Sequence, residues 1–153
     1  MSDDIITKLS LDRLREVLQQ SGYRVETVTD PATGAAHLRS ATGGIMFDIR
    51  PGNRLAEGGD FVDAALVAAV QVQGELPLEV VNRWNATRRF ARLQSGGAFL
   101  VLTQDVSAIG GVTAGHLRGH IEIWDHLVQQ FVNYLREELP KLAANPPAEA
   151  ALA

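Results

Sequence analysis

The chain has 153 residues, 46% of them apolar and 21% charged, with a formal net charge of −4 and no cysteine. That length predicts one domain with its own core, and the composition excludes a fibrous repeat or wholesale disorder. The missing cysteines exclude disulfides, thiolate metal sites and thiol nucleophiles, and the negative balance argues against general nucleic-acid binding, which needs excess cation.

The amino terminus, MSDDIITKLS, is acidic where a secretory signal would be basic. The longest apolar run, Ala64 to Val70, falls far short of the roughly 20 residues that span a bilayer. A cytoplasmic protein without membrane contact is the expectation.

Leu11, Leu14 and Leu18 fall on one helical stripe, Ser10 is placed to cap it, and Gly22 supplies a left-handed stop, which together predict a first helix. Alternation begins at Tyr23, Val25 and Thr27, and the turn chemistry of DPATG and TGG divides the segment up to Pro51 into three short antiparallel strands. In the third, Ile45, Phe47 and Ile49 point inward. The segment from Phe61 to Gln73 is rich in alanine, yet Val62, Ala64, Leu66, Ala68, Val70 and Val72 occupy every second position, which predicts a fourth strand.

A short second helix comes next, with Pro77 in its first turn and Leu78, Val81 and Trp84 on one stripe. RRFARLQSGGAFLVLTQDVS then reads as a hairpin turning at SGG, whose second strand is apolar on both faces and therefore central. The longest helix comes last. Thr113 caps it, and Leu117, Ile121, Trp124, Val128, Phe131 and Leu135 recur at steps of three and four. The Ala/Pro-rich stretch 140–153 has no packing stripe and is expected to be a disordered tail beyond a single domain, residues 1–139. The order is α-β-β-β-β-α-β-β-α, an α+β fold with helices packed on an antiparallel sheet.

Few sites in this sequence invite chemistry. His116 and His120 share a helical face, but no third ligand is placed near them and no Glu stands between them. The turn SAIGGVTAGHL, with Gly110 and Gly111 ahead of Thr113, lacks the lysine and spacing of a nucleotide loop and reads as a tight entry to a capped helix. Arg88, Arg89 and Arg92 fall in a stretch free of acidic residues and are candidate anion contacts, with Arg88, Phe90 and Arg92 expected on one strand face. No G-x-S-x-G elbow or paired-carboxylate arrangement is present. The residues therefore predict no catalytic group, no metal and no cofactor.

VVNRWNATRRFARL places Asn82 and Asn85 around Trp84 where a helix must end and a strand begin. Asn85 suits a left-handed terminal residue, and Asn82 can tie down a loop, so the pair reads as a structural clamp. This stretch, with AFLVLTQDVSAIGGVTAGHLRGHIEIW and LREVLQQSGYRVE, resembles the YbjN family of bacterial proteins over about Leu9 to Leu135. The family is described as sensory-transduction regulators. The resemblance implies a fold like that of type III secretion chaperones, which are commonly dimeric and hold protein segments. It implies no catalytic signature. Together these readings predict a non-enzymatic module binding an unknown protein client as a homodimer, with a small-ligand or anion sensor as the alternative. A second stripe on the last helix, Ile123, Leu127 and Tyr134, exceeds what one core-facing seam needs and is expected to meet another subunit.

Overall fold

The computed structural model of the chain describes residues 4–56, 58–73 and 77–144, the last four of these by their backbone alone. Ser10 caps α1 (Leu11–Gln20), its hydroxyl oxygen accepting from the Arg13 amide at 3.1 Å, and Gly22 comes after it at φ 94°. Leu14, Val17 and Leu18 are the face that α1 buries.

Six strands then form one antiparallel sheet: β1 (Glu26–Thr29), β2 (Ala36–Thr42), β3 (Ile45–Pro51), β4 (Asp63–Gln71), β5 (Ala91–Gly96) and β6 (Phe99–Ser107), in spatial order β1-β2-β3-β4-β6-β5. The predicted order of elements is the observed one. β4 is a strand despite its alanines, with Ala64, Leu66 and Ala68 buried in one register. β6 is paired on both sides, as its two apolar faces require.

Side-chain alternation gives the sheet two unlike faces. Leu38, Phe47, Leu66, Leu93 and Leu102 point to the face covered by helices. The other face carries Arg39, Asp48, Val67, Thr103 and Arg92 as one cross-strand row.

The core lies between the first face and α3 (Ala114–Ala144), where Trp124 is fully buried and meets Phe47 edge-on at 5.6 Å. α1 packs against α3 and β2, and α2 (Leu78–Thr87) packs against the outer strand β5. Bridges from Ile6 to Val112 and from Leu9 to Phe61 stitch the N-terminal segment to the loops ahead of α3 and β4.

Two expectations about the helices differ from the structure. In α2 the buried residues are Val80 and Trp84, with Val81 half-buried, whereas Leu78 is 77% exposed at the first turn. Two helical turns let either neighbouring stripe fit the sequence, and Trp84 decides which one turns inward. The expected tail includes Pro140, yet α3 runs through it to Ala144. A helical proline removes one backbone bond without forbidding another turn. The remainder of the expected tail, 145–153, lies outside the described residues.

Leu102 has no exposed surface and sits in the doubly paired strand beneath the helices. Leu102→Ala is expected to cost about 2–5 kcal/mol, read as a lowered urea midpoint at unchanged slope.

Candidate functional site

The corner between α2 and β5 is built by consecutive side chains. Trp84 is fully buried, with Phe131 at 5.6 Å and Tyr134 at 5.5 Å, both edge-on, and its indole N–H donates to the Ala91 carbonyl at 3.2 Å. Asn85 takes both backbone groups of Leu93: its Nδ2 donates to the carbonyl at 2.9 Å and its Oδ1 accepts from the amide at 2.8 Å. Asn85 is thus a clamp inside the helix rather than a left-handed terminus. Asn82 is exposed and makes no side-chain hydrogen bond among the described residues.

The left-handed residue here is Phe90, at φ 74°, the single non-glycine with positive φ among the described residues. The residue is 58% exposed, and its ring meets His120 edge-on at 6.2 Å. Phe90 therefore precedes β5 and does not share a strand face with Arg88 and Arg92. The chain turns sharply between the clamped helix end and Ala91, and this residue absorbs the turn.

The three candidate arginines are separated by that geometry. The Arg88 guanidinium lies 4.2 Å from the Trp84 ring centroid and 5.0 Å from that of Tyr134, and its Nε donates to Gln130 at 3.2 Å. Arg92 sits on the helix-free face of the sheet, paired with Asp105 at 2.8 Å. Arg89 is exposed and has no acidic partner among the described residues. Arg83, by contrast, pairs with Glu79 at 2.6 Å and with Glu138 of α3.

The interface stripe also changes role. Leu127 and Tyr134 are buried in the chain's own core, and only Ile123 of the three is partly exposed. The reason is α2, which covers the side of α3 that the sheet does not reach: Tyr134 packs on Trp84 and its hydroxyl donates to the Val80 carbonyl. Burial, with the charge of Glu138 adding to it, raises the Tyr134 hydroxyl above its ordinary pKa.

What remains between the corner and α3 is an open groove of about 480 Å³, walled by Arg88, Arg89 and Phe90 on one side and by Ile123, His126 and Leu127 on the other. Thr87, Gly119, Gln130 and the carboxylate of Glu122 also line it. It joins residues that the sequence placed in separate sets, an apolar floor beside the Arg89 guanidinium, which lies 5.8 Å from the Phe90 ring centroid and has no acidic partner among the described residues.

The glycine turn before α3 is structural. Gly110 and Gly111 hold φ 82° and 94°, the Gly111 amide donates to Ala108, and the Val112 amide donates to Ile6. A Cβ at Gly111 would stand 2.5 Å from Ile5 Cγ2. Thr113 caps α3, accepting from the His116 amide at 3.1 Å. The His116 and His120 rings lie 4.5 Å apart at a tilt of 58°, and among the described residues no three His, Asp or Glu side chains converge as a metal set. Gln104, buried on β6, donates to the His120 carbonyl at 2.8 Å, a strand-to-helix tie that no sequence signal marked.

The family model of YbjN, described as "Putative bacterial sensory transduction regulator", matches residues 10–137, and the chain belongs to that family. No curated protein matches it significantly. No described helix is long and apolar enough to cross a membrane.

Asn85→Ala strips partners from both backbone groups of Leu93 and is expected to cost about 1–3 kcal/mol and to speed exchange of the Leu93 amide. Burial, then the neighbouring charge of His116, lowers the His120 pKa below 6.5. The unfolded chain therefore binds the proton more readily, and this contribution to stability, complete above about pH 6.5, declines as pH falls through the folded-state value. His120→Gln is expected to flatten that part of a stability–pH curve.

Proposed function

We propose that this protein is a non-enzymatic regulatory module of the bacterial cytoplasm that works as a homodimer and receives an extended segment of a client protein in the groove between Phe90 and α3. The observation that carries the reading is Phe90. A left-handed L-residue costs roughly 1–2 kcal/mol, and a phenylalanine left 58% exposed returns little of that within the monomer. The turn holds this aromatic out on the surface, and an exposed apolar ring beside a groove is what a partner would bury.

The groove specifies the chemistry of that partner. An apolar side chain would pack on Phe90, Ile123 and Leu127, while a neighbouring carboxylate would meet Arg89. The family's description as a regulator is compatible with this, and a likeness to segment-holding type III secretion chaperones would give the same reading. A second reading, a small-anion sensor, is favoured by one observation, the guanidinium of Arg89 without an acidic partner among the described residues.

Phe90→Gly separates binding from folding, because glycine accepts φ 74° without strain. Partners captured by wild type and by this variant from the native cell are compared, and each purified partner is then titrated against both. The expected result is unchanged or raised thermal stability with affinity weakened at least about tenfold. Equal affinities would sink the groove reading. A rise in melting temperature with inorganic phosphate, absent in Arg89→Glu, would favour the anion sensor instead.

A further inference from the structure

The two outer strands of the sheet are finished differently. At β5 the outward backbone groups next to α2 are occupied, because Asn85 takes the amide and carbonyl of Leu93 and Trp84 takes the carbonyl of Ala91. Two side chains of α2 stand where a seventh strand would otherwise pair.

At β1 the edge is open. The Asp30 amide donates to the Ala35 carbonyl across the β1–β2 hairpin. Antiparallel alternation then turns the backbone groups of Val28 and Glu26 toward β2, and those of Val25, Thr27 and Thr29 toward the free edge. Among the described residues no group bonds to them. Arg15 of α1 reaches the Thr27 hydroxyl and leaves the Thr27 amide free. A free strand edge is a template for another strand.

We propose that β1 of one copy pairs antiparallel with β1 of a second copy about a two-fold axis through Thr27, making one continuous sheet from two chains. Hydrogen bonding requires that outward-facing residues oppose one another, which confines the register to pairs of odd-numbered positions. With Thr27 on the axis, Val25 faces Thr29 of the partner subunit, and Arg24 faces Asp30 of the partner subunit at both ends. Sliding the register one step either way sets Glu26 against itself or against Asp30, which places like charges in opposition. Among the registers centred at or one step from Thr27, charge therefore favours this one, and it is self-complementary, as a two-fold interface demands. α1 packs mainly on α3 and β2 and meets β1 through the Arg15–Thr27 side-chain contact, which leaves the outward backbone groups of β1 unused.

The inference rests on the homodimer in the proposed function and places its interface. Sedimentation velocity of the full chain, from about 1 to 100 µM, measures it. Wild type is expected to dimerise reversibly. Thr27→Pro removes an amide that no group within the described chain uses, and Arg24→Asp opposes Asp30 of the partner subunit. Each is expected to raise the dissociation constant at least about tenfold. The double change Arg24→Asp with Asp30→Arg restores opposite charges and is expected to recover most of the loss. Circular dichroism and melting check the fold, and Arg24→Asp, a change at an exposed position, decides the matter if the proline variant misfolds. A dimer whose dissociation constant neither variant moves would overturn the β1 interface alone. A monomer at every concentration would overturn the homodimer as well, leaving the groove to be judged by the Phe90 titration.

Discussion

The structure depends on one indole. Trp84 is the residue through which α2, α3 and β5 are held to one another: its ring is enclosed by Phe131 and Tyr134, its N–H reaches the backbone of Ala91, and the guanidinium of Arg88 closes over its face. Fully burying an aromatic of this size contributes several kcal/mol, and the hydrogen bond spares the cost of an unpaired N–H. Once that ring is fixed, Asn85 is carried to Leu93 and the helix must end within two residues. The left-handed turn at Phe90 is the geometric consequence of joining a helix so anchored to a strand so close by.

The strained, exposed ring that motivates the proposed docking groove is therefore produced by the core itself. Holding Trp84 inward and Asn85 on the strand edge leaves Phe90 no ordinary backbone conformation from which to reach Ala91. The groove beside it takes its second wall from α3, whose sheet-facing side is occupied by residues such as Trp124 and whose α2-facing side by Tyr134. Ile123 and Leu127 lie between those two contacts, where neither neighbour covers them completely.

Local periodicity carried most of the fold. The stripe of α1, the alternation through β4 and the three-and-four spacing of α3 each report a residue's own element, and each is observed. What periodicity cannot report is the identity of the neighbour. The excess apolar stripe of α3 was legible, but Tyr134 is covered by α2 of the same chain and Leu127 is buried in the chain's own core. Their fate depended on where Trp84 sits, a fact of packing between segments some 50 positions apart. The clamp was legible as a clamp because asparagine is a mediocre helix former whose amide seeks nearby backbone groups, and here two of them bracket a tryptophan where the helix ends. Its mechanism was not, since an amide that imitates a neighbouring strand looks no different in sequence from one that caps a turn. Phe90 carried no signal at all, because positive φ is marked in sequence by glycine and asparagine, not by phenylalanine.

The helix-free face of the sheet shows why interest falls on the groove and the free edge. An antiparallel sheet can turn one face to water if its polar groups are satisfied there. Along the central row Asp48 accepts from Arg39 at 2.8 Å and from Arg50 at 3.0 Å, with His37 at 3.3 Å, and Arg92 pairs with Asp105 at the other end. Burial alone would raise the Asp48 pKa, but the hydrogen bonds and charge of Arg39, with His37 and Arg50 adding to them, hold it below the usual carboxylate value. Val67 and Thr103 between these clusters are already largely covered by their neighbours in the row. Such a surface has its charges matched within the chain and offers little unsatisfied bonding to a partner. Arg89 without a matching acid, the half-exposed Phe90 and the outward backbone groups of β1 are different in kind: each keeps bonding or apolar surface that the described residues do not use, which is why the proposals are placed there.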